Sequence, residues 1–274
     1  MLRQRLLVAV IGLPVGVAAI VLGGYVLFGA AILLTILGLH EYYSLVRAYK
    51  PNLLVGYGSG ACVVICSFLF DRFDQAGFAG QEGILLGLLG MMVFMFGWAM
   101  LGKLGAHLVG RMALTGFGVI WVAVGFSYIM LVRSLEHGLT LAILLVSCTV
   151  ANDTFAYFVG RVIGRHRMAP RISPKKTIEG ALGGVAGSIL AAFLVAVYSD
   201  WMPRGHAAIL GLIIGLVGQW GDLFESAIKR DFGVKDSGKL LPGHGGILDR
   251  FDAFLYAGFA TYWCSLGLFG DLVR

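Results

Sequence analysis

Charged residues are scarce in this sequence. They make up 13% of the 274 residues, whereas 58% of the residues are hydrophobic and the mean hydropathy is +0.86. So little charge excludes a soluble globular domain as the main body of the chain, because such a domain needs a polar surface. The composition indicates a protein that crosses a membrane several times and leaves no room for a separate soluble domain.

Cysteines are too few and too scattered for the common disulfide and metal sites. None of the four forms a Cys-x-x-Cys pair, and all lie in apolar stretches, where cysteine behaves as a small hydrophobic residue. We therefore expect no disulfide and no zinc site. The cysteines are Cys62, Cys66, Cys148 and Cys264.

The apolar segments predict an all-α polytopic membrane protein with about nine transmembrane helices. Two of them share residues 6–46 and are separated at Gly23-Gly24. We assign residues 1–137 to a scaffold of five spans and residues 138–274 to a catalytic part of four spans. The predicted spans are residues 6–22, 25–46, 53–70, 84–101, 113–132, 138–158, 180–199, 207–228 and 251–269.

Basic residues orient the predicted spans. If the N-terminus is cytoplasmic, seventeen of the 21 lysines and arginines lie on the cytoplasmic side. The positive-inside rule therefore favours a cytoplasmic N-terminus. This orientation also places the polar loops 159–179 and 229–250 in the cytoplasm, where nucleotides are found. The four basic residues left outside are Arg72, Arg133, Arg204 and Arg274.

The most densely charged stretch covers residues 222–252. Asp222, Glu225 and Lys229 are spaced i, i+3 and i+7, so they share one face of a predicted helix. Residues 233–246 contain five glycines and a proline, which indicates a loop that can approach a ligand closely. Acids on both sides of a glycine- and lysine-rich loop are typical of a Mg²⁺–nucleotide site, because carboxylates bind the cation and basic groups bind phosphates.

A second polar cluster begins in the sixth predicted span. Asp153 lies inside that span, and an acid within a span costs enough free energy to suggest a function. Lys175 and Lys176, in the loop 159–179, offer positive charge for phosphates. The sixth, eighth and ninth spans each carry an acid at a similar predicted depth, so we expect these acids to form one site.

Glu41 stands next to two tyrosines near the inner end of the second predicted span. The run reads His40-Glu41-Tyr42-Tyr43. Tyrosines are common at membrane interfaces, so we interpret Glu41 as an interfacial acid, with a functional role as the alternative.

Three motifs resemble signatures of the phosphatidate cytidylyltransferases, also called CDP-diacylglycerol synthases. They read Ser226-x-x-Lys229-Arg230-x4-Lys235-Asp236-x5-Pro242-x-His244-Gly245-Gly246-x-x-Asp249-Arg250-x-Asp252, Asp153-Thr-x-Ala-Tyr157-x-x-Gly160-Arg161 and Ser173-Pro-Lys-Lys-Thr-x-Glu-Gly. The resemblance implies a membrane enzyme that joins CTP and phosphatidic acid into CDP-diacylglycerol, releases pyrophosphate and requires Mg²⁺. It also implies a homodimer among the lipids of a bacterial inner membrane, with no nucleic acid as partner.

Roles for individual residues follow from the resemblance. Asp222 and Asp249 are the expected metal ligands, with Asp153 as a third acid and with a second cation as an option. Lys229 completes the catalytic set, because it would hold a phosphate. His244 would donate to a phosphate or serve a purely structural role. The other substrate-binding candidates are Ser226, Arg230, Lys235, Lys239, Arg250, Lys175 and Lys176.

Other functions share parts of this pattern. A CTP-dependent kinase of the dolichol or phytol kinase type would transfer the γ-phosphate to a lipid alcohol at a similar site. A membrane transporter could also place an acid inside a span, although no repeat relates the two halves of the sequence. The run Gly233-x4-Gly238-Lys239 resembles a P-loop, but Leu240 replaces the hydroxyl residue that would bind Mg²⁺.

Overall fold

The computed structural model describes residues 12, 14–73, 79–101, 107–238, 240 and 245–273. Most of these residues are helical, which confirms the all-α prediction. The chain divides into two compact units. The first comprises Met1–Ser134 and Asp236–Arg250, and the second comprises Leu135–Lys235 and Phe251–Arg274. The assignment of a scaffold to residues 1–137 and of catalysis to residues 138–274 stays a prediction.

The first unit is built from helices joined by short connections. They are α1 (Gly24–Leu45), α2 (Leu53–Phe73), α3 (Ala79–Leu101), α4 (Leu108–Gly118) and α5 (Val124–Ser134). A short π-helix, Val119–Ala123, joins α4 to α5, so Leu108–Ser134 forms one helical segment of 27 residues.

Helices α2 and α3 pack closely because α3 presents glycines to α2. A Cβ atom at Gly83 would meet the backbone carbonyl of Cys66 and would lie 2.8 Å from Cα of Ser67. A Cβ atom at Gly87 would lie 2.6 Å from Cα of Val63. Small residues allow this approach, and the resulting van der Waals contacts hold helices together in a membrane.

The second unit combines long helices with a small β-hairpin. The helices are α6 (Gly138–Ile163), α7 (Ile178–Val197), α8 (Arg204–Asp231) and, from Phe251 onward, α9 (Leu248–Phe269). Strands β1 (Arg167–Ala169) and β2 (Ser173–Thr177) pair antiparallel, with Arg167 opposite Thr177. The hairpin lies within the predicted loop 159–179, where no strands are expected from the sequence. Pairing the two strands satisfies backbone groups that would otherwise need other partners.

Seven helical segments of the described chain are long and apolar enough to cross a membrane. They correspond to the second to eighth predicted spans. The first predicted span lies partly outside the described residues, and its residues 14–22 are helical. Helix α9 coincides with the ninth predicted span but is not one of the seven. The total of nine spans and the cytoplasmic N-terminus stay predictions.

The helix break predicted at Gly23-Gly24 is confirmed. The φ angle is +60° at Gly23 and +47° at Gly24, a backbone region that glycine adopts without strain. The Nε atom of Arg133 donates a 2.8 Å hydrogen bond to the carbonyl of Ile20, near the end of the preceding helical residues. A cation beside the last carbonyls of a helix stabilises that end.

Replacing Gly83 by alanine is expected to destabilise the first unit, because the new methyl group would press on the backbone of α2. Overpacking of this kind costs about 1–3 kcal/mol. The control is Gly90→Ala on the same helix, where no atom lies within 4 Å of the added Cβ. Thermal unfolding of the detergent-solubilised protein checks the prediction. Equal melting temperatures for the two variants would contradict the close approach of α2 and α3.

Candidate active site

A cavity of about 590 Å³ lies in the second unit. Helices α6, α7 and α8 and the β-hairpin form its walls. The polar side chains that line it are Asn152, Asp153, Tyr157, Arg161, Arg167, Lys175, Lys176, Thr177, Gln219 and Asp222. The cavity therefore joins Asp153 and the Lys175–Lys176 pair to Asp222, which stands some fifty residues further along the chain.

Asp222 is the acid in the cavity with the most clearly defined partners. Its Oδ2 atom lies 2.5 Å from Nζ of Lys176, and the two side chains are 30% and 29% exposed. The hydroxyl of Ser226 donates to Oδ1 of Asp222 at 3.4 Å, one helical turn further along α8. Both oxygens of this carboxylate thus have a donor. The predicted candidates Ser226 and Lys176 both contact the predicted metal ligand.

Asp252 adds a third acid to this region. It lies close enough to Asp222 and Asp153 for the negative charges to repel one another, and its Oδ1 atom accepts a 2.7 Å hydrogen bond from the amide of Ala253. Helices α6, α8 and α9 therefore contribute one acid each. In the described part of the chain, no three histidine, cysteine, aspartate or glutamate side chains are close enough to ligate a single ion together.

The hairpin that carries the lysines is fixed at its ends. The Glu179 carboxylate accepts hydrogen bonds from the backbone amides of Arg165 and His166, at 3.1 and 3.2 Å, and contacts Nδ1 of His166 at 2.6 Å. The hydroxyl of Thr177 accepts from the amide of Gly180 at 3.1 Å and so caps α7. These contacts hold the strand that carries Lys175 and Lys176 against the start of α7.

Two amide side chains form the inner part of the cavity wall. The Nε2 atom of Gln219 donates to Oδ1 of Asn152 and to the carbonyl of Ala181, both at 2.8 Å. These bonds connect α8 to α6 and to α7, next to Asp153 and one helical turn from Asp222. Gln219 and Asn152 lie outside the three motifs, so they are not among the predicted site residues. A polar residue in an apolar helical segment was the available signal.

Lys229 and Arg230 take part in internal contacts rather than lining the cavity. Nζ of Lys229 lies 3.2 Å from Oε2 of Glu225, whose side chain is 1% exposed. Arg230 donates from Nε to the carbonyl of Ile172, at 3.2 Å, and from Nη1 to the carbonyl of Val234, at 3.1 Å. Arg230 therefore ties the turn of the hairpin to the end of α8.

The remaining candidates in the charged stretch fall in different places. Lys235 is exposed at the end of the second unit, and Arg250 is exposed in the first unit. Lys239 and His244 lie outside the described residues. The proposed contacts of these four side chains with substrate stay predictions.

In the first unit, Asp249 organises the segment that precedes α9. Its Oδ2 atom accepts hydrogen bonds from the amides of Ser237 and Gly246, at 2.9 and 2.8 Å, and from the Ser237 hydroxyl at 3.0 Å. Carboxylates in the first turn of a helix are stabilised by its dipole. The expectation that Asp249 is also a metal ligand stays a prediction.

Glu41 contacts the same segment of the first unit. The interpretation of Glu41 as an interfacial acid is wrong, because its side chain is 1% exposed. Its Oε1 atom accepts from the amide of Ile247 at 2.8 Å, and its Oε2 atom accepts from the amide of Leu248 at 2.9 Å. A carboxylate can be buried here because both of its oxygens receive hydrogen bonds.

Comparison with known proteins identifies the family. The model of the Cytidylyltransferase family matches residues 3–268. The chain belongs to this family. A phosphatidate cytidylyltransferase of Synechocystis sp. is 36% identical over an alignment that covers 95% of both chains. Proteins of the same name from Staphylococcus epidermidis and Bacillus subtilis are 35% and 31% identical, over 93% of this chain and 95% and 94% of theirs.

Membership of the cytidylyltransferase family confirms the resemblance drawn from the motifs. The match extends over the first unit as well, although the motifs that carried the resemblance cover only residues 153–252. In this cytidylyltransferase, part of those motifs lines the cavity of the second unit, including Asp153, Tyr157, Arg161 and the Lys175–Lys176 pair.

Replacing Asp222 by alanine is expected to lower cytidylyl transfer at least about 100-fold, because removal of even a supporting group at a metal site costs 10- to 100-fold. The control is Asp200→Ala, which removes an exposed acid in the connection between α7 and α8. Turnover of CTP by the two purified variants, at matched amounts of folded protein, checks the prediction. Normal turnover in the Asp222 variant would show that this carboxylate is not needed for the reaction.

Proposed function

We propose that this chain transfers the cytidylyl group of CTP to phosphatidate and so produces CDP-diacylglycerol and pyrophosphate. The observation that carries the proposal is the cavity of the second unit, where Asp222 and Asp153 face the basic side chains of the hairpin and α6. The relatives called phosphatidate cytidylyltransferase match 93–95% of the chain, which supports the choice of both substrates.

The reaction needs little covalent chemistry from the protein. An oxygen of the lipid phosphate attacks the α-phosphorus of CTP, a new P–O bond forms, and the bond to the β-phosphate breaks as pyrophosphate leaves. Phosphatidate is ionised at neutral pH, so no general base is required. Positioning of the two phosphates and neutralisation of their charge therefore supply most of the rate enhancement.

Basic side chains of the cavity are suited to hold the phosphates. Lys175, Lys176, Arg161 and Arg167 all line it. The hydroxyl of Tyr157 accepts a 2.9 Å hydrogen bond from Arg161, one turn further along α6, which restricts the guanidinium. Arginine can then bind a phosphate through two parallel hydrogen bonds, whereas lysine acts as a compact charge.

Magnesium fits the acids of the cavity. It prefers oxygen ligands, needs only one or two carboxylates, and completes its coordination with water and substrate phosphates. Asp222 would be the principal ligand, since its Oδ2 atom already accepts a cationic group, the ammonium of Lys176. Asp252 and Asp153 would contribute negative charge nearby. When bound, the ion would neutralise charge on the phosphates. We also predict that Asp249 is a second ligand of the ion. A second cation is a further prediction.

The protein is an integral membrane protein, with seven described segments able to span a membrane. We propose that it resides in a bacterial inner membrane and that the cavity opens toward the cytoplasm, where CTP is found. The bacterial relatives and the distribution of basic residues support this placement. The homodimer implied by the family resemblance stays a prediction.

Position-specific labels on CTP test the reaction. Purified protein in detergent is incubated with phosphatidic acid, Mg²⁺ and CTP labelled at either the α- or the γ-phosphate. We expect the α label to enter the lipid and the γ label to leave as pyrophosphate, because attack occurs at the α-phosphorus.

The same experiment separates the alternatives. Entry of the γ label into an added lipid alcohol would replace the proposal with a CTP-dependent lipid kinase. Movement of neither label, together with saturable solute flux in vesicles, would favour a transporter instead. A reaction without phosphatidic acid serves as the control for hydrolysis of CTP.

A further inference from the structure

A buried acid of the first unit, Glu41, contacts the described part of the polar segment 236–250, which comprises residues 236–238, 240 and 245–250. Its side chain lies near the end of α1 and is 1% exposed. The two carboxylate oxygens accept hydrogen bonds from the amides of Ile247 and Leu248, and Oε2 also lies 3.2 Å from the hydroxyl of Ser237, which shares its one proton with Asp249. Two amides and one hydroxyl of the segment thus converge on a single side chain that lies about 200 residues earlier in the chain.

The backbone amides at the start of α9 explain why an acid rather than an apolar residue occupies position 41. The first amides of a helix have no acceptor within that helix, and α9 begins at Leu248. Glu41 accepts from the amide of Leu248 and from that of the preceding residue, Ile247, so two buried donors are satisfied. The positive end of the helix dipole further stabilises a negative charge at this position.

The glycines of the segment leave room for this acid. A Cβ atom at Gly238 would lie 2.6 Å from Oε1 of Glu41, and one at Gly246 would meet both Oε2 of Glu41 and the hydroxyl of Ser237. Neither glycine has a φ angle that excludes other residues. A side chain at either position would therefore displace the Glu41 carboxylate, and at Gly246 it would displace the Ser237 hydroxyl as well.

Ser237 connects Glu41 to Asp249. Its hydroxyl lies 3.2 Å from Oε2 of Glu41 and 3.0 Å from Oδ2 of Asp249. Movement of Glu41 would therefore disturb the hydroxyl that also helps to orient the Asp249 carboxylate.

We propose that Glu41 is a positioning residue for the reaction, which holds the described part of segment 236–250 in place and, through Ser237, sets the orientation of Asp249. The inference rests on the proposed function, in which this segment carries substrate- or metal-binding groups. Glu41 itself has no assigned contact with CTP or phosphatidate.

Glu41→Gln tests the inference, because it keeps the size of the side chain but replaces one acceptor oxygen with an NH₂ group. That group would face an amide or hydroxyl donor of the segment. We expect kcat/KM for CTP to fall about 100-fold, mainly through kcat, since a displacement of about 1 Å can cost that much. Hydrogen exchange at the amides of residues 246–248 should become faster by more than any fall in the melting temperature accounts for, because the lost acceptor is local to these amides.

Two further variants sharpen the test. Glu82→Gln makes the same change at an exposed acid in the first turn of α3, and it should leave activity, exchange and melting temperature unchanged. Gly238→Ala pushes a methyl group against Oε1 of Glu41 and should reproduce the kinetic defect without altering Glu41. If the Glu41→Gln variant does not fold, the kinetics of Gly238→Ala test the inference on their own.

Normal kcat in both Glu41→Gln and Gly238→Ala would overturn the inference. So would a loss of kcat in Glu41→Gln without faster exchange at residues 246–248, because Glu41 would then act elsewhere. If the unmodified protein shows no cytidylyl transfer, the proposed function fails first. The exchange comparison would still report whether Glu41 holds the segment, so the two failures are distinguishable.

Discussion

Burial of ionisable side chains among apolar helices requires partners, because removing a charge from water is costly unless another charge or hydrogen bonds replace the water. The protein meets this requirement in different ways. Glu225 pairs with Lys229 inside the second unit, and Glu41 accepts backbone hydrogen bonds inside the first. The pair of Lys176 and Asp222 differs, since both side chains are about 30% exposed and line a cavity. Because both side chains are partly exposed, a ligand can reach either of them and replace the other as its partner.

Short elements around the cavity hold the basic residues that we propose bind phosphates. The hairpin is fixed at one end by Glu179 and at the other by the cap that Thr177 forms on α7. Lys175 and Lys176 lie between these contacts, so their backbone is already ordered before a ligand binds. A site ordered in advance loses less conformational entropy on binding, and more of the electrostatic attraction then appears as affinity.

Much of the fold and part of the site could be predicted from the sequence, and the physical reasons differ. Apolar runs predict helices, and Asp153 is visible as an acid inside such a run. The hairpin was missed because its strands of three and five residues are rich in basic residues and show no alternation of apolar and polar positions. Glu41 was misjudged because its partner Ser237 lies 196 positions away, and spacing along the chain does not report such contacts.

The glycines of the charged stretch show how one motif can meet several physical demands. From the sequence alone, these glycines indicate a loop whose backbone can approach a ligand closely. Gly233 and Gly245, however, have φ angles of +67° and +82°, so they serve the turns of the backbone. Gly238 and Gly246 instead make space for the buried carboxylate of Glu41. Glycines in such a stretch can therefore be needed for backbone turns or for packing against a buried side chain. Their spacing alone does not indicate how closely a phosphate approaches the backbone.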